Sequence, residues 1–440
     1  MSHSKSYFIE TYGCQMNVHD TEKMRGILSG LGFLQAESEQ QADLVLLNTC
    51  SVREKAAQKI FTRLGQLKKL KKGRPGLMIG VCGCLAQQEG DLFFKNRPYV
   101  DIVFGPRNIG ELPTILHSLE QERHQLLALS GPRQEPTFEV DTVLRESPFK
   151  AYITIMEGCD KFCAFCVVPF TRGREVSRDP HAVLFEARRL ADEGCLELCL
   201  LGQNVNSYRY NDFDFADLLL SLHEIPGIQR IRYTSPHPND INEKVMNLYG
   251  ELPKLCPSLH FPLQAGSNSV LTRMKRDYTR EIYLSKVDYL RQIRPSIALS
   301  TDIIVGFPGE TEEDFQLTMD VVRKVQFANI YSFKYSPRKF TAALKMASEE
   351  IPEEEKSDRL TRLQALQREI QFKLNHDLIG TTQEVLVETH SRKRDVELSG
   401  RTMCNRVVNF KGSEDWIGSF QTVQIETASA NSLYGTPSTL

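Results

Sequence analysis

Ala151–Cys166 reads AYITIMEGCDKFCAFC, and the rest of the chain can be read outward from it. Its first seven residues form a short apolar run of the kind buried in a parallel sheet. Gly158 ends that run, and Cys159, Cys163 and Cys166 follow in one loop. CxxxCxxC spacing gathers three thiols at the carboxyl end of a strand. Protein iron–sulfur clusters ordinarily take four cysteines, so three leave one iron open to an outside ligand. The rival is zinc, which usually takes four ligands in two CxxC-like pairs, and no second pair lies nearby. Downstream, the runs LELCLLG, IQRIRYTS, SLHFPL, IALSTDIIVG and FANIYSFKY alternate with helical segments such as Pro180–Glu193 and Thr311–Val325. With AYITIME these make six strands in roughly 185 residues, which predicts a partial or full (β/α) barrel.

Upstream the same alternation occurs. Strands are expected at Tyr7–Thr11, Ala42–Asn48, Gly76–Val81 and Tyr99–Phe104. Helices are expected at Thr21–Leu31, with Asp20 as N-cap, and at Arg53–Lys72. The pattern implies a doubly wound α/β domain on a parallel sheet. Cys14, Cys50 and Cys84 each lie just past an expected strand, where such sheets place their ligand crevice. They form either a second three-cysteine set or three unrelated thiols. Cys82 competes with Cys84 for the third place, because period-2 alternation puts both on one side. Cys195, Cys199, Cys256 and Cys404 lack ligand spacing and read as packing residues. After the charged amphipathic helix Ile351–Leu378, the runs EVLVET, RVVNF, WIGSF and TVQIET predict a small all-β barrel.

The totals exclude several classes. A formal net charge of −2 over 440 residues is not that of a basic nucleic-acid binder, so any RNA contact must be local. No run reaches the roughly 18 apolar residues of a membrane span, and the N-terminus has no signal-peptide core. Cytoplasmic residence is therefore expected, where 11 cysteines are better suited to metal than to disulfides. Segment 53–74 carries nine basic residues and one acid, which makes it either an RNA-facing helix or a solvated one. Arg172, Arg174 and Arg178 are expected to grip a carboxylate or phosphate, or to form surface ion pairs. Residues 376–440 carry six Lys+Arg against eight Asp+Glu, so charge alone does not mark them as RNA-binding.

The loop Cys159–Cys166 resembles that of the radical S-adenosylmethionine (SAM) superfamily. More of the chain joins the likeness: Thr11–Asn17 (TYGCQMN), Asn48–Lys55 (NTCSVREK), Gly83–Gly90 (GCLAQQEG), Gly158–Arg178 (GCDKFCAFCVVPFTRGREVSR), Leu200–Asn206 (LLGQNVN), Tyr233–Pro238 (YTSPHP), Asp302–Glu310 (DIIVGFPGE) and Gly400–Phe410 (GRTMCNRVVNF). Together these resemble the radical SAM methylthiotransferases, most nearly the MiaB-type branch. The resemblance selects Cys84 over Cys82. It implies an N-terminal methylthiotransferase domain (1–122), a linker (123–147), a radical SAM core (148–377) and a TRAM RNA-binding domain (378–440). It also implies two [4Fe-4S] clusters, one held by Cys159, Cys163 and Cys166 and the other by Cys14, Cys50 and Cys84. These six cysteines are the implied catalytic and metal residues. Phe165, Gly202, Gln203, Asn204 and Gly306 are the implied SAM contacts.

The implied reaction uses one SAM as methyl donor and a second as source of a 5′-deoxyadenosyl radical. It places a methylthio group on carbon 2 of N6-isopentenyladenosine beside the tRNA anticodon. The implied partners are the tRNA anticodon stem-loop and an electron donor such as a flavodoxin or ferredoxin, with no membrane, and the chain is expected to be a monomer. The alternatives are methylthiolation of threonylcarbamoyl adenosine, methylthiolation of a ribosomal-protein aspartate, or a non-catalytic iron–sulfur RNA-binding protein. The sequence departs from the family at Ala265, in place of the usual serine, and at Lys339 and Phe340, in place of the usual proline and glycine.

Overall fold

The computed structural model describes residues 4–51, 54–122, 124–131, 138, 143–391 and 394–438, with the side chains of 54–57 and 394–396 excepted. The first unit contains β1 (Ser6–Tyr12), α1 (Gln15–Gly30), β2 (Leu34–Gln35), β3 (Leu44–Thr49), α2 (Glu54–Gly73), β4 (Met78–Gly83), α3 (Cys84–Glu89), α4 (Leu92–Asn96), β5 (Ile102–Phe104), α5 (Leu112–Gln121) and β6 (Leu126–Ala128). Its six strands are parallel, in the order β2-β1-β3-β4-β5-β6.

Period-2 alternation divides the core into two layers. Leu44 and Leu46 pack with Met24, Leu28, Ile115 and Leu116 on one face. Val45 and Leu47 pack with Ile60, Leu64, Leu67 and Leu85 on the other. Each such buried side chain contributes about 1.5–3 kcal/mol. This is the doubly wound sheet that the alternation predicts.

Helix α1 differs from expectation. It begins six residues earlier, with Cys14 as N-cap, and the Asn17 side chain accepts from the Cys14 amide at 3.3 Å. Asp20 therefore lies inside the helix and is buried. It is no cap, because a buried arginine claims its carboxylate. The stretch expected to be a linker contains strand β6, and its residues 123, 132–137 and 139–142 lie outside the described residues.

The second unit holds β7 (Lys150–Thr154), β8 (Met156–Glu157), α6 (Val168–Thr171), β9 (Val176–Ser177), α7 (Pro180–Asp192), β10 (Glu197–Leu201), β11 (Arg209–Tyr210), β12 (Phe213–Asp214), α8 (Phe215–His223), β13 (Arg230–Tyr233), α9 (Glu243–Glu251), β14 (Ser258–His260), α10 (Asn268–Arg273), α11 (Arg280–Ile293), β15 (Ala298–Val305), α12 (Glu312–Val325), β16 (Asn329–Lys334) and α13 (Glu353–His376). Strands β7, β10 and β13 pair in parallel, as do β14, β15 and β16. An isolated parallel bridge, Ile231 to Leu255, joins the two sets. The six strands anticipated from the sequence thus form a parallel arc around one large apolar core.

The last unit is a closed barrel of β17 (Thr382–Ser391), β18 (Arg394–Thr402), β19 (Val407–Lys411), β20 (Phe420–Ala428) and β21 (Leu433–Pro437), in the order β17-β18-β19-β21-β20. The sequence pattern misses β18 and β21. Gly400 breaks the apolar run of β18, yet it must be small, because an added Cβ would lie 2.3 Å from the Leu386 carbonyl. WIGSF is a turn leading into β20, not a strand of its own.

This barrel docks on the strand starts of the middle unit. Arg230, 1% exposed, donates to the Arg401 carbonyl at 2.8 Å, and Arg232 donates to the Thr402 and Met403 carbonyls at 2.9 Å. Burial would raise the Glu197 carboxyl, but Arg232, Lys150 and Arg230 outweigh it and hold the group below its ordinary value. No helix among the described residues is long and apolar enough to cross a membrane.

Candidate active site

Strands β1, β3 and β4 lie side by side, with Tyr12 opposite Thr49 and Thr49 opposite Gly83. The residues just beyond their ends are therefore neighbours. Cys14 caps α1, the Cys50 amide donates to the Tyr12 carbonyl at 2.8 Å, and Cys84 opens α3. The Cys14 thiol is lowered to about 6. Its bond with Cys50 is the main cause, with help from Arg172 and the amides at the start of α1, against burial. Burial pushes the Cys84 thiol up, opposed by the positive charge of Arg172.

Cys82 points elsewhere. It is 1% exposed and packs in the layer with Met24, its sulfur 3.6 Å from the Leu47 carbonyl. Gly83 separates the two cysteines. Its φ of +89° turns the chain, and an added Cβ would lie 2.6 Å from the Thr49 carbonyl. Alternation, which predicts a shared side for Cys82 and Cys84, stops at this turn, since Cys84 is helical.

The second set is local. The Cys159 amide donates to the Gly173 carbonyl at 3.1 Å, and the Cys166 amide to the Cys163 carbonyl at 3.0 Å. Burial raises the Cys159 thiol, and it raises Cys166 to about 12, with Cys163 adding to the effect. Arg276 donates to Cys163 Sγ at 3.3 Å and to the Pro262 carbonyl at 3.0 Å. A buried guanidinium thus stands by each set: Arg276 bonds Cys163, and the charge of Arg172 acts on Cys84. Thiols buried together do not ionise unless cations neutralise them. Among the described residues, no group of three His, Cys, Asp or Glu gathers around a single metal ion. A four-iron cluster asks for a wider arrangement, with each thiolate on its own iron, and the donor chemistry suits that group.

The two sets face each other across the domain boundary. Helix α3, which Cys84 opens, packs on α6, which follows the cysteine loop. Arg172 spans the boundary. It is 2% exposed, pairs with Asp20 of α1, and lies 3.5 Å from Glu157. The three arginines that follow the loop have different positions. Arg174 is exposed and pairs with Asp160 at 2.7 Å, and Arg178 bonds Glu186 beneath α7. Sequence reasoning missed Arg276, the partnership of Asp20 with Arg172, and His237. Arg172 and His237 lie in quoted runs, whereas Arg276 and Asp20 do not. His237 is buried, its Nε2 has no partner among the described residues, and burial, then Arg276 and Lys161, lower it to about 2.

The anticipated SAM contacts divide. Gly202, Gln203 and Asn204 follow β10 directly. Gln203 accepts from the Gly158 amide, which ties this turn to the cysteine loop, and its Nε2 is buried without a partner among the described residues. Asn204 serves as a brace, accepting from the His237 amide at 3.1 Å and donating to Asp240 at 2.7 Å. Phe165 packs half-buried against the core. Gly306 lies apart at the end of β15, where Lys356 of α13 covers it. Its amide donates to Glu310 at 2.6 Å, and Glu310 pairs with the buried Arg359 at 2.7 Å. Ala265 is fully buried. Lys339 pairs with Glu89 of α3 at 2.6 Å. On α2 and just past its end, Arg63, Lys71 and Arg74 are committed to Glu10 and Glu39, Asp101 and Asp43. Lys59, Lys68, Lys69 and Lys72 are exposed, and Arg53 lies outside the described residues.

Residues 6–105 match the Uncharacterized protein family UPF0004, residues 153–322 the Radical SAM superfamily, and residues 377–437 the TRAM domain. Among solved structures, the fold is similar to that of the radical S-adenosylmethionine methyltransferase TsrM from Kitasatospora setae. The TM-score is 0.56 at 16% identity, covering 78% of this chain and 77% of that one. Curated relatives lie much nearer. The tRNA-2-methylthio-N(6)-dimethylallyladenosine synthase of Solibacter usitatus is 47% identical over 405 residues, covering 91% of this chain and 90% of that protein. Those of Geotalea uraniireducens and Aquifex aeolicus are 44% and 43% identical, each covering 92% of this chain and 93% and 92% of theirs. With three domain matches in this order and identity of this extent, the chain belongs to the radical SAM methylthiotransferase family of tRNA-2-methylthio-N(6)-dimethylallyladenosine synthases.

Proposed function

We propose that this enzyme converts N6-isopentenyladenosine beside a tRNA anticodon to its 2-methylthio derivative. The observation that carries the proposal is the packing of α3, which Cys84 opens, on α6, which follows the cysteine loop, with Arg172 of the radical SAM unit paired to Asp20 of the N-terminal unit. In this reading Cys159, Cys163 and Cys166 hold a [4Fe-4S] cluster with one iron open to SAM, and Cys14, Cys50 and Cys84 hold the auxiliary cluster. When bound, the clusters would supply the electron that cleaves SAM and the site of sulfur attachment, and SAM would supply the methyl group.

The chain's own residues do the positioning. Gln203 fixes the Gly158 amide at the entry to the loop and keeps a spare buried N–H, which suits a SAM carboxylate. Gly202 keeps that turn close to the loop, because an added Cβ would lie 2.6 Å from Met156. Phe165 supplies a wall, and Asn204 holds the turn through His237 and Asp240. Gly306 acts at one remove, through the Lys356 and Glu310 contacts that shape the end of β15. Arg276 and Arg172 place positive charge beside thiolates, which favours the ligating form. The C-terminal barrel supplies RNA affinity, a flavodoxin- or ferredoxin-type protein supplies the electron, and the chain works as a cytoplasmic monomer. None of the eleven cysteines forms a disulfide, which fits a reducing compartment.

The test is anaerobic. Protein reconstituted with iron and sulfide receives SAM, a reductant and isopentenylated tRNA lacking the methylthio group. Mass spectrometry of the digested tRNA is expected to show the 2-methylthio nucleoside. Release of 5′-deoxyadenosine without that product, together with product on threonylcarbamoyl tRNA, would overturn the substrate and leave the chemistry standing.

A further inference from the structure

Phe340 stands on left-handed backbone, with φ +69°, a conformation that bulky residues rarely adopt. Burial does not compensate, since the residue is 60% exposed. The turn is tied to the cysteine loop. The Thr341 hydroxyl donates to the Arg338 carbonyl at 2.7 Å, and the Ala343 amide donates to the carbonyl of Ala164, which follows Cys163, at 2.8 Å. The Phe340 ring lies 5.8 Å from that of Phe170, and Phe170 lies 6.4 Å from Phe162. These two are 44% and 40% exposed. Phe162 sits between Cys159 and Cys163, itself at φ +48°. Three exposed rings, two of them on strained backbone, form a row at the mouth of the candidate active site. Glycine at 340 would relieve the strain and sacrifice no buried contact.

We infer that Phe162, Phe170 and Phe340 form an aromatic ledge that stacks an unpaired base of the RNA substrate beside the target nucleotide. The inference rests on the tRNA reading above. Charge at the edges favours RNA as the occupant. Arg174 lies over the Phe162 ring at 5.2 Å with its side chain 62% exposed, and Lys339 is 47% exposed. Their partners Asp160 and Glu89 make surface pairs, which hold cations weakly and leave them available to phosphates. Splayed loop bases stack on such rings, whereas bases inside a duplex do not offer their faces.

The test measures anaerobic binding of the reconstituted protein to a fluorescent anticodon stem-loop carrying N6-isopentenyladenosine, and to the same sequence closed into a duplex. Phe340→Gly is expected to raise the loop Kd about tenfold, or about 1.4 kcal/mol. Duplex binding should change little, and the melting temperature should match or exceed that of the parent. Phe340→Trp is expected to keep the parent's affinity. If Phe340→Gly binds the loop like the parent while the parent methylthiolates it, the ledge is overturned and the tRNA reading stands. Equal loss on loop and duplex also overturns stacking. If the parent neither binds nor modifies the loop, the tRNA reading fails and the ledge fails with it.

Discussion

The two cysteine sets reach similar chemistry by opposite routes. Cys159, Cys163 and Cys166 share one loop, anchored by local bonds such as Cys166 N–H to the Cys163 carbonyl. Cys14, Cys50 and Cys84 come from three strand ends and become neighbours only when β1, β3 and β4 pair in register. A set written in one loop depends little on the rest of the fold, whereas a set assembled by a sheet depends on every strand that aligns it. Their tasks are separable too. In the proposed reaction the loop set cleaves SAM and the sheet set delivers sulfur. The largest expected effects test that division. Cys166→Ser should abolish both 5′-deoxyadenosine release and tRNA product. Cys84→Ser should abolish the tRNA product while SAM cleavage continues. Methylthiolated tRNA from Cys84→Ser protein would remove the sheet set from the mechanism.

The buried arginines extend the contrast. Arg172 pairs with Asp20 and Glu157, so Arg172→Met strands the Asp20 carboxylate at the domain boundary and leaves Glu157 only Arg107 among the described residues. Breaking a buried pair from one side costs about 3–5 kcal/mol. Arg276 bonds Cys163, the Pro262 carbonyl and the Tyr278 hydroxyl, with no carboxylate among these partners. Its removal leaves unsatisfied polar groups worth about 1–3 kcal/mol. Urea unfolding should therefore rank Arg172→Met as the more damaging change. The reverse order would mean that the interdomain pairs are not what holds the sheet set against the loop set.

How legible each set is follows from the same physics. The loop spacing states its own geometry, and the strand before it states where that geometry sits. The sheet set was visible because apolar strand runs announce a doubly wound core, and such cores collect residues at their carboxyl ends. Asp20 was misread because an aspartate before a helical run resembles an N-cap, and nothing nearby in sequence reveals a partner at Arg172, 152 residues away. Arg276 and Glu310 were illegible for the same reason, their partners being set by tertiary contacts. Strand β18 escaped because a glycine that the Leu386 carbonyl demands looks like a turn.

Each region also buries one neutral histidine. Burial, then Lys23, lowers His19 to about 3, and its ring bonds Glu22 at 3.2 Å. Burial likewise raises Glu22, so both partners are held toward the neutral form. His237 is lowered to about 2. Below the ordinary histidine value near 6.5, the unfolded chain takes up protons that the folded chain refuses, so stability falls as pH falls. Each histidine adds a slope of about 1.4 kcal/mol per pH unit below that value. Urea melts from pH ~7 to ~5 should show His19→Gln and His237→Gln each flattening the decline by that amount. An unchanged slope in one variant would place a proton on that histidine in the native protein.

The smallest expected effect tests the choice within the sheet set. Cys82 and Cys84 are two residues apart, and only Gly83 sends them to different environments. The Cys82 sulfur fills a place between Met24 and the Leu47 carbonyl, so Cys82→Ala removes one buried sulfur. A loss of that size costs about 1 kcal/mol, with auxiliary-cluster iron and methylthio product unchanged. If the iron content falls with Cys82→Ala and survives Cys84→Ala, the ligand would lie on the strand face and not on α3. Arg172 would then act through Asp20 and Glu157 alone. If the iron follows Cys84, a single glycine at φ +89° separates a packing thiol from a metal ligand.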